Sequence, residues 1–175
     1  MLRTIERVGL KEESNILLPG IANRMSKIPY AEPSEEVRVQ LIDLLEVCLK
    51  SDKFSFVPHL SAIARMLGHA VADSNPEMKQ KAALFAGLLS RELSTQVGIY
   101  MQSTVQNLAT NLSHQHSKVR KVTLAGMKDV IVARGAEKFV EDALPQLKFS
   151  MNDRSADVRA KFYEVLRHWM TNMEI

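Results

Sequence analysis

Residues 113–131 read SHQHSKVRKVTLAGMKDVI, a polar turn followed by the apolar-basic pair Val119-Arg120. Counted from Val119, the positions at +4, +8 and +11 are Thr123, Met127 and Val130. This spacing returns to one side of a helix, so the segment predicts an amphipathic helix with one buried face. Thr123 is the single polar residue on that face.

The same arrangement recurs four times in the 175 residues. The anchor pairs follow one another at a nearly constant interval, and they are Val37-Arg38, Met78-Lys79, Val119-Arg120 and Val158-Arg159. A second apolar stripe precedes each of the last three anchors and includes Leu60, Val105, Leu144, Leu147 and Met151. Each repeat is therefore a pair of helices, and a fixed period of about 40 residues is typical of a solenoid.

The predicted fold is all-α, an α-α superhelix of about four antiparallel helix pairs that forms one domain over residues 1–175. We expect the units at approximately 14–50, 56–93, 98–134 and 137–173. The first unit is less regular, because its link at residues 28–33 is slightly longer than the stripe requires. The apolar columns place Leu147 and Leu166 in the core.

The last helix carries Trp169, Met170 and Met173 directly before the end of the sequence. A solenoid usually finishes on a polar capping surface, so we expect an open end of the stack here. The alternative for Trp169 is that it closes the fourth unit, since its column predicts burial.

The turns inside the units carry a charge pattern. An acid precedes the anchor at a fixed position in three units, and the second anchor residue is always basic. The acids are Glu32, Asp73 and Asp153, the bases are Arg38, Lys79, Arg120 and Arg159, and His114 replaces the third acid. This pattern resembles the HEAT-repeat family. The resemblance implies a hydrogen-bonded ladder between neighbouring turns, although only Pro145 matches the family's proline in the first helix.

Two strings, residues 33–38 and 113–120, are similar to the HEAT-repeat dynein axonemal assembly factors. The similarity extends over most of residues 14–170. It implies a cytoplasmic, non-enzymatic protein that helps to assemble axonemal dynein before import into cilia. Dynein chains and co-chaperones are the partners that this resemblance implies. Because members of that family are much longer than 175 residues, it also implies that the chain is a fragment.

Composition excludes several classes of protein. Apolar residues make up 46% and charged residues 25% of the chain, which is typical of a folded globular protein and not of a disordered one. No apolar run approaches the roughly 18 residues that a membrane span needs, so no membrane association is expected. The single cysteine, Cys48, cannot form an internal disulfide, and this fits a reducing compartment such as the cytoplasm.

No group of residues predicts catalysis, a metal site or a cofactor. Cys48 shares its column with Leu89, Val130 and Trp169, so we expect a buried thiol. His114 and His116 lie in a turn with no third metal ligand at a suitable spacing. The seven glycines form no phosphate-binding loop. We therefore expect a protein that is not an enzyme.

The predicted functional surface is the concave face that the second helices of a solenoid line. The outward positions chosen as candidate partner-binding residues are Leu84, Arg91, Lys121, Lys128, Val132 and Arg167. Mixed charges with apolar residues between them suit a protein partner. The alternative is nucleic-acid binding through Lys118, Arg120, Lys121 and Lys128, which a net charge of +3 permits but does not require. Phe54 and Phe56 either pack between units or bind a partner.

Overall fold

The computed structural model describes residues 11–173, with side chains from Glu13 onward, and these residues form helices and no strand. Eight α-helices are present in this range. They are α1 Lys11–Met25, α2 Glu35–Ser51, α3 Leu60–Val71, α4 Pro76–Glu92, α5 Gln102–Asn111, α6 Ser117–Ile131, α7 Val140–Met151 and α8 Ala156–Asn172. The 3-10 turns Lys53–His59, Gly98–Tyr100 and Glu137–Phe139 connect the pairs. The predicted span of 1–175 also includes residues 1–10, 174 and 175, which lie outside the described range.

Polar residues in the turns begin the second helices. Ser34 Oγ accepts a hydrogen bond from the N–H group of Val37 at 3.3 Å and so caps α2. Asn75 Oδ1 accepts from two N–H groups of the first turn of α4, at 2.8 and 3.1 Å. Pro76 occupies the first turn of α4, where no N–H group is needed. These caps fix where the second helix begins in the first and second units.

The eight helices stack as two parallel rows. The first helices of the units, α1, α3, α5 and α7, each pack against the next in that row, and the second helices, α2, α4, α6 and α8, do the same. One apolar core runs through the stack from Leu18 to Trp169. Contacts between neighbouring units only are the defining feature of a solenoid. The predicted all-α superhelix of four helix pairs is confirmed.

Most of the predicted core columns are buried. Fully or nearly fully buried members are Leu45, Cys48, Ala82, Ala86, Leu89, Met127, Val130, Leu147 and Trp169. Thr123, the one polar member, is also buried. Phe56 packs against Phe85 with ring centroids 6.4 Å apart, whereas Phe54 is exposed.

The fourth unit departs from the prediction. Leu166, which the columns place in the core, is 38% exposed, and Leu144 and Met151 are exposed to a similar extent. The prediction of burial is wrong for these three positions, because their side chains are only partly covered by the other described residues. Val165 is buried in α8 instead. Met170 is exposed, and Met173 packs partly against the core.

Candidate protein-binding face on the second helices

A groove of about 370 Å³ crosses the row of second helices. It spans α2, α4 and α6, so three successive units contribute to one concavity. Its walls contain charged residues of both signs, and its middle is apolar. The lining residues are Glu46, Lys50, Leu84, Gly87, Leu88, Arg91, Ala125, Lys128 and Asp129. We call this site the second-helix groove.

Glycines bring α4 and α6 close together beneath the groove. A Cβ atom added to Gly87 would lie 3.0 Å from the carbonyl oxygen of Gly126. A Cβ atom added to Gly126 would collide with the carbonyl oxygen of Ala83 on α4. The two helices can approach this closely only because neither glycine has a side chain. The exposed side chain of Leu84 therefore stands above a floor of backbone and small residues.

Replacing Gly126 by alanine is expected to lower the free energy of unfolding by about 1–3 kcal/mol, because α4 and α6 must move apart to admit the Cβ atom. The gain in helix propensity of about 1 kcal/mol does not offset that cost. Chemical denaturation followed by circular dichroism measures the change.

Gly20 on α1 is the matched control, because a Cβ atom there meets no other atom within 4 Å. Gly20→Ala is expected to leave stability unchanged or to raise it. Equal effects of the two substitutions would show that the close approach of α4 and α6 is not under steric constraint.

Ion pairs connect neighbouring second helices along the face. Lys81 on α4 contacts Asp43 on α2, and Lys121 on α6 contacts Asp157 on α8 at 2.8 Å. Within the groove, Arg91 on α4 contacts Asp129 on α6 at 3.5 Å. The cations on this face are therefore largely matched by carboxylates, and the surface carries both signs of charge side by side.

The structure brings three of the six candidate partner-binding residues into the groove, namely Leu84, Arg91 and Lys128. Arg167 is exposed on α8, outside the groove lining. Lys121 is held in its ion pair with Asp157. Val132 lies apart, in a second cavity of about 460 Å³ between the loops that join the units.

The candidate set left out six of the nine residues that line the groove, among them Gly87 and Asp129. The contribution of Gly87 depends on the facing Gly126, which the sequence pattern does not show. Asp129 lies one position beyond the projected row and enters the site through its contact with Arg91. Asp129 follows Arg91 in the chain by nearly one repeat length, and this spacing is the sequence feature that could have indicated its place in the groove.

The turn ladder lies on the edge where the two helices of each unit meet. Arg38 donates from Nε and Nη2 to Asp73 of the second unit at 3.0 and 3.4 Å. Arg120 donates in the same way to Asp153 of the fourth unit at 2.6 and 2.7 Å. Each arginine also donates Nη1 to carbonyl groups of its own turn. The ladder predicted from the charge pattern is present at these two junctions.

The ionisation of the ladder groups reflects these bonds. Hydrogen bonding from Arg120 lowers the pKa of Asp153 below its ordinary value, and the same bond raises the pKa of Arg120. Burial, followed by the charge of Asp73, raises the pKa of Tyr30 to about 12. The Tyr30 hydroxyl donates to the carbonyl of His69 at 2.9 Å, and the Arg38 guanidinium lies 4.5 Å from the ring centre. The first junction therefore combines an ion pair with a tyrosine that stays neutral.

Comparison with known proteins identifies the family. The family model described as "Dynein axonemal assembly factor 5-like, TPR repeats" matches residues 2–174. The chain belongs to this family. The resemblance of the chain to dynein axonemal assembly factors is thereby confirmed. The family description calls the units TPR repeats, whereas the spacing of about 40 residues and the turn ladder are the features that suggested HEAT repeats.

Three relatives are named dynein axonemal assembly factor 5. The Xenopus laevis protein is 24% identical over 158 residues, which are 90% of this chain and 19% of the relative. The Mus musculus protein is 27% identical over 161 residues, again 90% of this chain and 19% of the relative. The Homo sapiens protein is 25% identical over 158 residues, or 88% of this chain and 18% of the relative. The chain thus spans about a fifth of the length of these relatives. No solved structure matches it at a significant level.

Two further observations concern the described part of the chain. None of its helices in residues 11–173 is both long and apolar enough to cross a bilayer. Across the same residues, histidine, cysteine and carboxylate side chains do not gather in threes at any point where they could hold a metal ion.

The middle junction of the ladder has no carboxylate. Lys79 Nζ donates to Asn111 Oδ1 at 2.8 Å and to the carbonyl of Val71 at 3.4 Å. His114 occupies the turn position of the acid, and its Nδ1 accepts from the backbone N–H of His116 at 3.1 Å. Burial lowers the pKa of His114, and the neighbouring charges of Lys79, His116 and Arg120 lower it further. A protonated His114 would lose its acceptor and add a cation beside other cations.

His114→Asp is expected to raise the free energy of unfolding by about 0.5–1 kcal/mol at pH 7, because it supplies the missing carboxylate opposite Lys79. The gain should grow as pH falls. The folded-state pKa of His114 lies below the ordinary value of 6.5, so the unfolded chain takes up the proton first and this residue reduces stability below pH 6.5. Denaturation curves at pH 7 and pH 5 measure both effects.

A second variant isolates the new contact. In a Lys79→Gln background, His114→Asp should lose most of its stabilising effect at pH 7, since the partner cation is gone. An equal gain with and without Lys79 would mean that the aspartate acts on the helix terminus alone.

Proposed function

We propose that this chain is a non-enzymatic scaffold segment that binds protein partners through the second-helix groove during cytoplasmic preassembly of axonemal dynein arms. The observation that carries the proposal is the groove itself, because three units build one concavity with an apolar middle and charged walls. Protein–protein contact regions combine an apolar centre with a polar rim in this way.

The character of the charges favours a protein partner over a nucleic acid. A phosphate backbone is bound by unpaired cations, often with aromatic side chains on which bases stack. Here Arg91, Lys81 and Lys121 are each matched by a carboxylate of the neighbouring helix. A partner that presents both signs of charge can exchange those ion pairs for its own.

The names of the relatives support a choice of partner. Three proteins named dynein axonemal assembly factor 5 match about nine tenths of this chain. We infer that the groove binds segments of axonemal dynein chains, or the co-chaperones that act on them, before the motor complex is complete. The apolar middle at Leu84 and Leu88 suits a helix or loop that is not yet packed in a finished dynein.

Binding to purified axonemal dynein heavy-chain fragments tests the proposal. Lys128→Glu is expected to weaken binding about ten-fold through loss of a charged wall residue. Folding should be almost unchanged, with a change in the free energy of unfolding within about 0.5 kcal/mol, since Lys128 is a partly exposed residue of the groove lining and not a member of the core. Surface plasmon resonance gives the affinity, and thermal denaturation checks the fold.

Arg65→Glu is the matched control. Arg65 is exposed on α3, in the row of first helices, so Arg65→Glu also replaces a cation by an anion, but it does so away from the groove. It should leave the affinity unchanged. Equal losses for the two variants would contradict the groove as the binding site, and undetectable binding of the parent chain to every dynein fragment and co-chaperone would contradict the choice of partner.

A further inference from the structure

Each second helix places one residue at the same position of the repeat, nine residues after the first member of its anchor pair. These residues are Glu46 on α2, Gly87 on α4, Lys128 on α6 and Arg167 on α8. The first three line the second-helix groove, and Arg167 is exposed one helix further along. We call them the ninth-position row. Along this row an acid is followed by a glycine and then by two cations.

Gly87 forms a notch in the middle of the row. It carries no side chain, and its backbone packs closely against that of Gly126 on α6. Leu84 and Leu88 flank Gly87 on α4 and also line the groove, and Leu84 is 49% exposed. A notch with apolar sides suits a large apolar side chain of a partner, because filling it removes apolar surface of both molecules from water.

The two cations of the row are not matched by carboxylates. Among residues 13–173, neither Lys128 nor Arg167 forms an ion pair. Glu164 on α8 is bonded to Lys161. The hydrogen bond from Lys161 lowers the pKa of Glu164, and the nearby charges of Lys128 and Arg167 lower it further. Both cations can therefore pair with carboxylates of a partner while Glu164 keeps its bond to Lys161.

A partner carboxylate gains most beside these two cations. At Arg91 it would only replace the carboxylate that this arginine already contacts, so the net change is small. Glu46, at the other end of the row, is already paired with Lys50 and requires no charge from a partner. Beside Lys128 and Arg167 a carboxylate adds an ion pair where none exists, and the bound partner shields that pair from water and salt.

The spacing of the row sets the spacing of the partner's residues. Packed helices lie roughly 8–10 Å apart, so Lys128 and Arg167 stand about one and two such distances from Gly87. In an α-helix, residues seven and eleven positions after an apolar anchor lie about 10 and 16 Å along the axis, on the same side as the anchor. A helix also satisfies its own backbone hydrogen bonds, which an extended segment could not do against a wall of helices.

We propose that the second-helix groove recognises an acidic amphipathic helix of its partner, with a large apolar residue over Gly87 and carboxylates seven and eleven residues later beside Lys128 and Arg167. This inference rests on the proposed function, because it names the chemistry of the segment that the groove binds. Apolar burial stabilises the complex, and the two ion pairs set the direction of the helix across the row. Cations at the same positions of a partner are repelled, so the groove selects its targets by charge.

A helical peptide of about 16 residues tests the recognition, and a side-chain cross-link holds it helical because an isolated helix of this length is only marginally stable. It carries a leucine near its amino end and glutamates seven and eleven residues later. Fluorescence anisotropy measures its affinity for the 175-residue chain. Moving both glutamates two residues toward the leucine, and so to the opposite face, should weaken binding about ten-fold. Equal affinities of the two peptides would overturn the proposal.

Leu84→Ala locates the apolar contact. It should weaken binding of the acidic peptide about five-fold or more, because Leu84 forms one side of the notch. Leu144→Ala is the matched control, since Leu144 is 44% exposed on α7, in the row of first helices, and deletes the same atoms away from the groove. It should leave the affinity unchanged. If both substitutions weakened binding equally, the peptide would not lie over Gly87.

Reversing the charges of the row tests the ion pairs. A chain with both Lys128→Glu and Arg167→Glu should bind a peptide with lysines in place of the glutamates more tightly than the acidic peptide. Lys128→Glu alone should reduce the preference for the acidic peptide about ten-fold, with circular dichroism confirming the fold of each variant. A preference for the acidic peptide that survives both changes would contradict the assigned pairs.

Binding of dynein fragments separates this inference from the proposed function. Fragments that bind the groove while the acidic peptide does not would overturn the inference and leave the proposed function in place. Peptide binding that depends on Leu84 and Lys128, with no binding of any dynein fragment or co-chaperone, would support the inference and contradict the proposed partner.

Two competitors test other occupants of the groove. A single-stranded DNA oligonucleotide should not displace the peptide, because a phosphate backbone has no apolar residue for the notch at Gly87. Displacement that is the same in the parent and in Leu84→Ala would favour a nucleic acid and overturn the proposal. Sedimentation of the chain alone should show a monomer, and self-association that Leu84→Ala abolishes would assign the groove to a second copy instead.

Discussion

Asp73→Ala is expected to lower the free energy of unfolding by about 3–5 kcal/mol, because it leaves the guanidinium of Arg38 buried without its counter-charge. Asp73 is only 3% exposed. Its carboxylate accepts from Arg38 at 3.0 and 3.4 Å and from the backbone N–H of Asn75 at 2.8 Å. One substitution therefore removes the first junction of the ladder and the bond that shapes the turn before α4.

Urea denaturation followed by circular dichroism measures the loss, and Asp142→Ala provides the comparison. Asp142 also joins two units, since it accepts from Gln106 Nε2 at 3.1 Å, but this bond is exposed to solvent. Its removal should cost no more than about 0.5 kcal/mol. If Asp73→Ala lowered the free energy of unfolding as little as Asp142→Ala, the hydrogen bonds of the ladder would not contribute substantially to the stability of the stacked helices.

The fold could be predicted from the sequence because one signal is repeated. A helix periodicity at a single anchor is ambiguous, but four anchors at intervals of about 40 residues require the same local structure four times. The turn acids then set where each pair reverses. Asp73 and Asp153 behave as predicted, while Lys79 shows that the sequence pattern alone does not give the partner: it bonds Asn111, a residue outside the acidic column.

Burial at the end of the stack could not be predicted in the same way. A column records which side of its helix a residue occupies, and it carries no information on whether a neighbouring unit covers that side. Met127 and Leu166 hold the same column, yet one is buried between units and the other is exposed. The difference arises from the unit beyond, which a local pattern does not contain.

The candidate site could be predicted from the sequence only in part. The outward projection selects a row that contains Leu84 and Lys128, and both line the groove, because helix geometry fixes which residues leave the core. It cannot give the ion pairs of Arg91 and Lys121, since these depend on how far neighbouring helices are displaced along each other. The depth of the groove depends on Gly126 meeting the backbone of α4, which again is a property of two helices together.

Leu147→Ala should lower the free energy of unfolding by about 2–5 kcal/mol, whereas Leu166→Ala should cost less than about 1 kcal/mol. The substitutions delete the same atoms from the same unit, so their difference isolates burial. Leu147 is 3% exposed on the side of α7 that belongs to the core, and its loss leaves a cavity. Leu166 is 38% exposed and leaves a space that water fills. Both columns predict burial for their leucine, and the two positions differ only in their exposure in the structure.

Urea denaturation of both variants, each compared with the unsubstituted chain, measures this difference. A solenoid transmits a local loss to neighbouring units, so hydrogen exchange of α5 and α6 should also accelerate in Leu147→Ala. A cost for Leu166→Ala that matches the cost of Leu147→Ala would contradict the exposure of Leu166 and would show that its side chain is packed in solution.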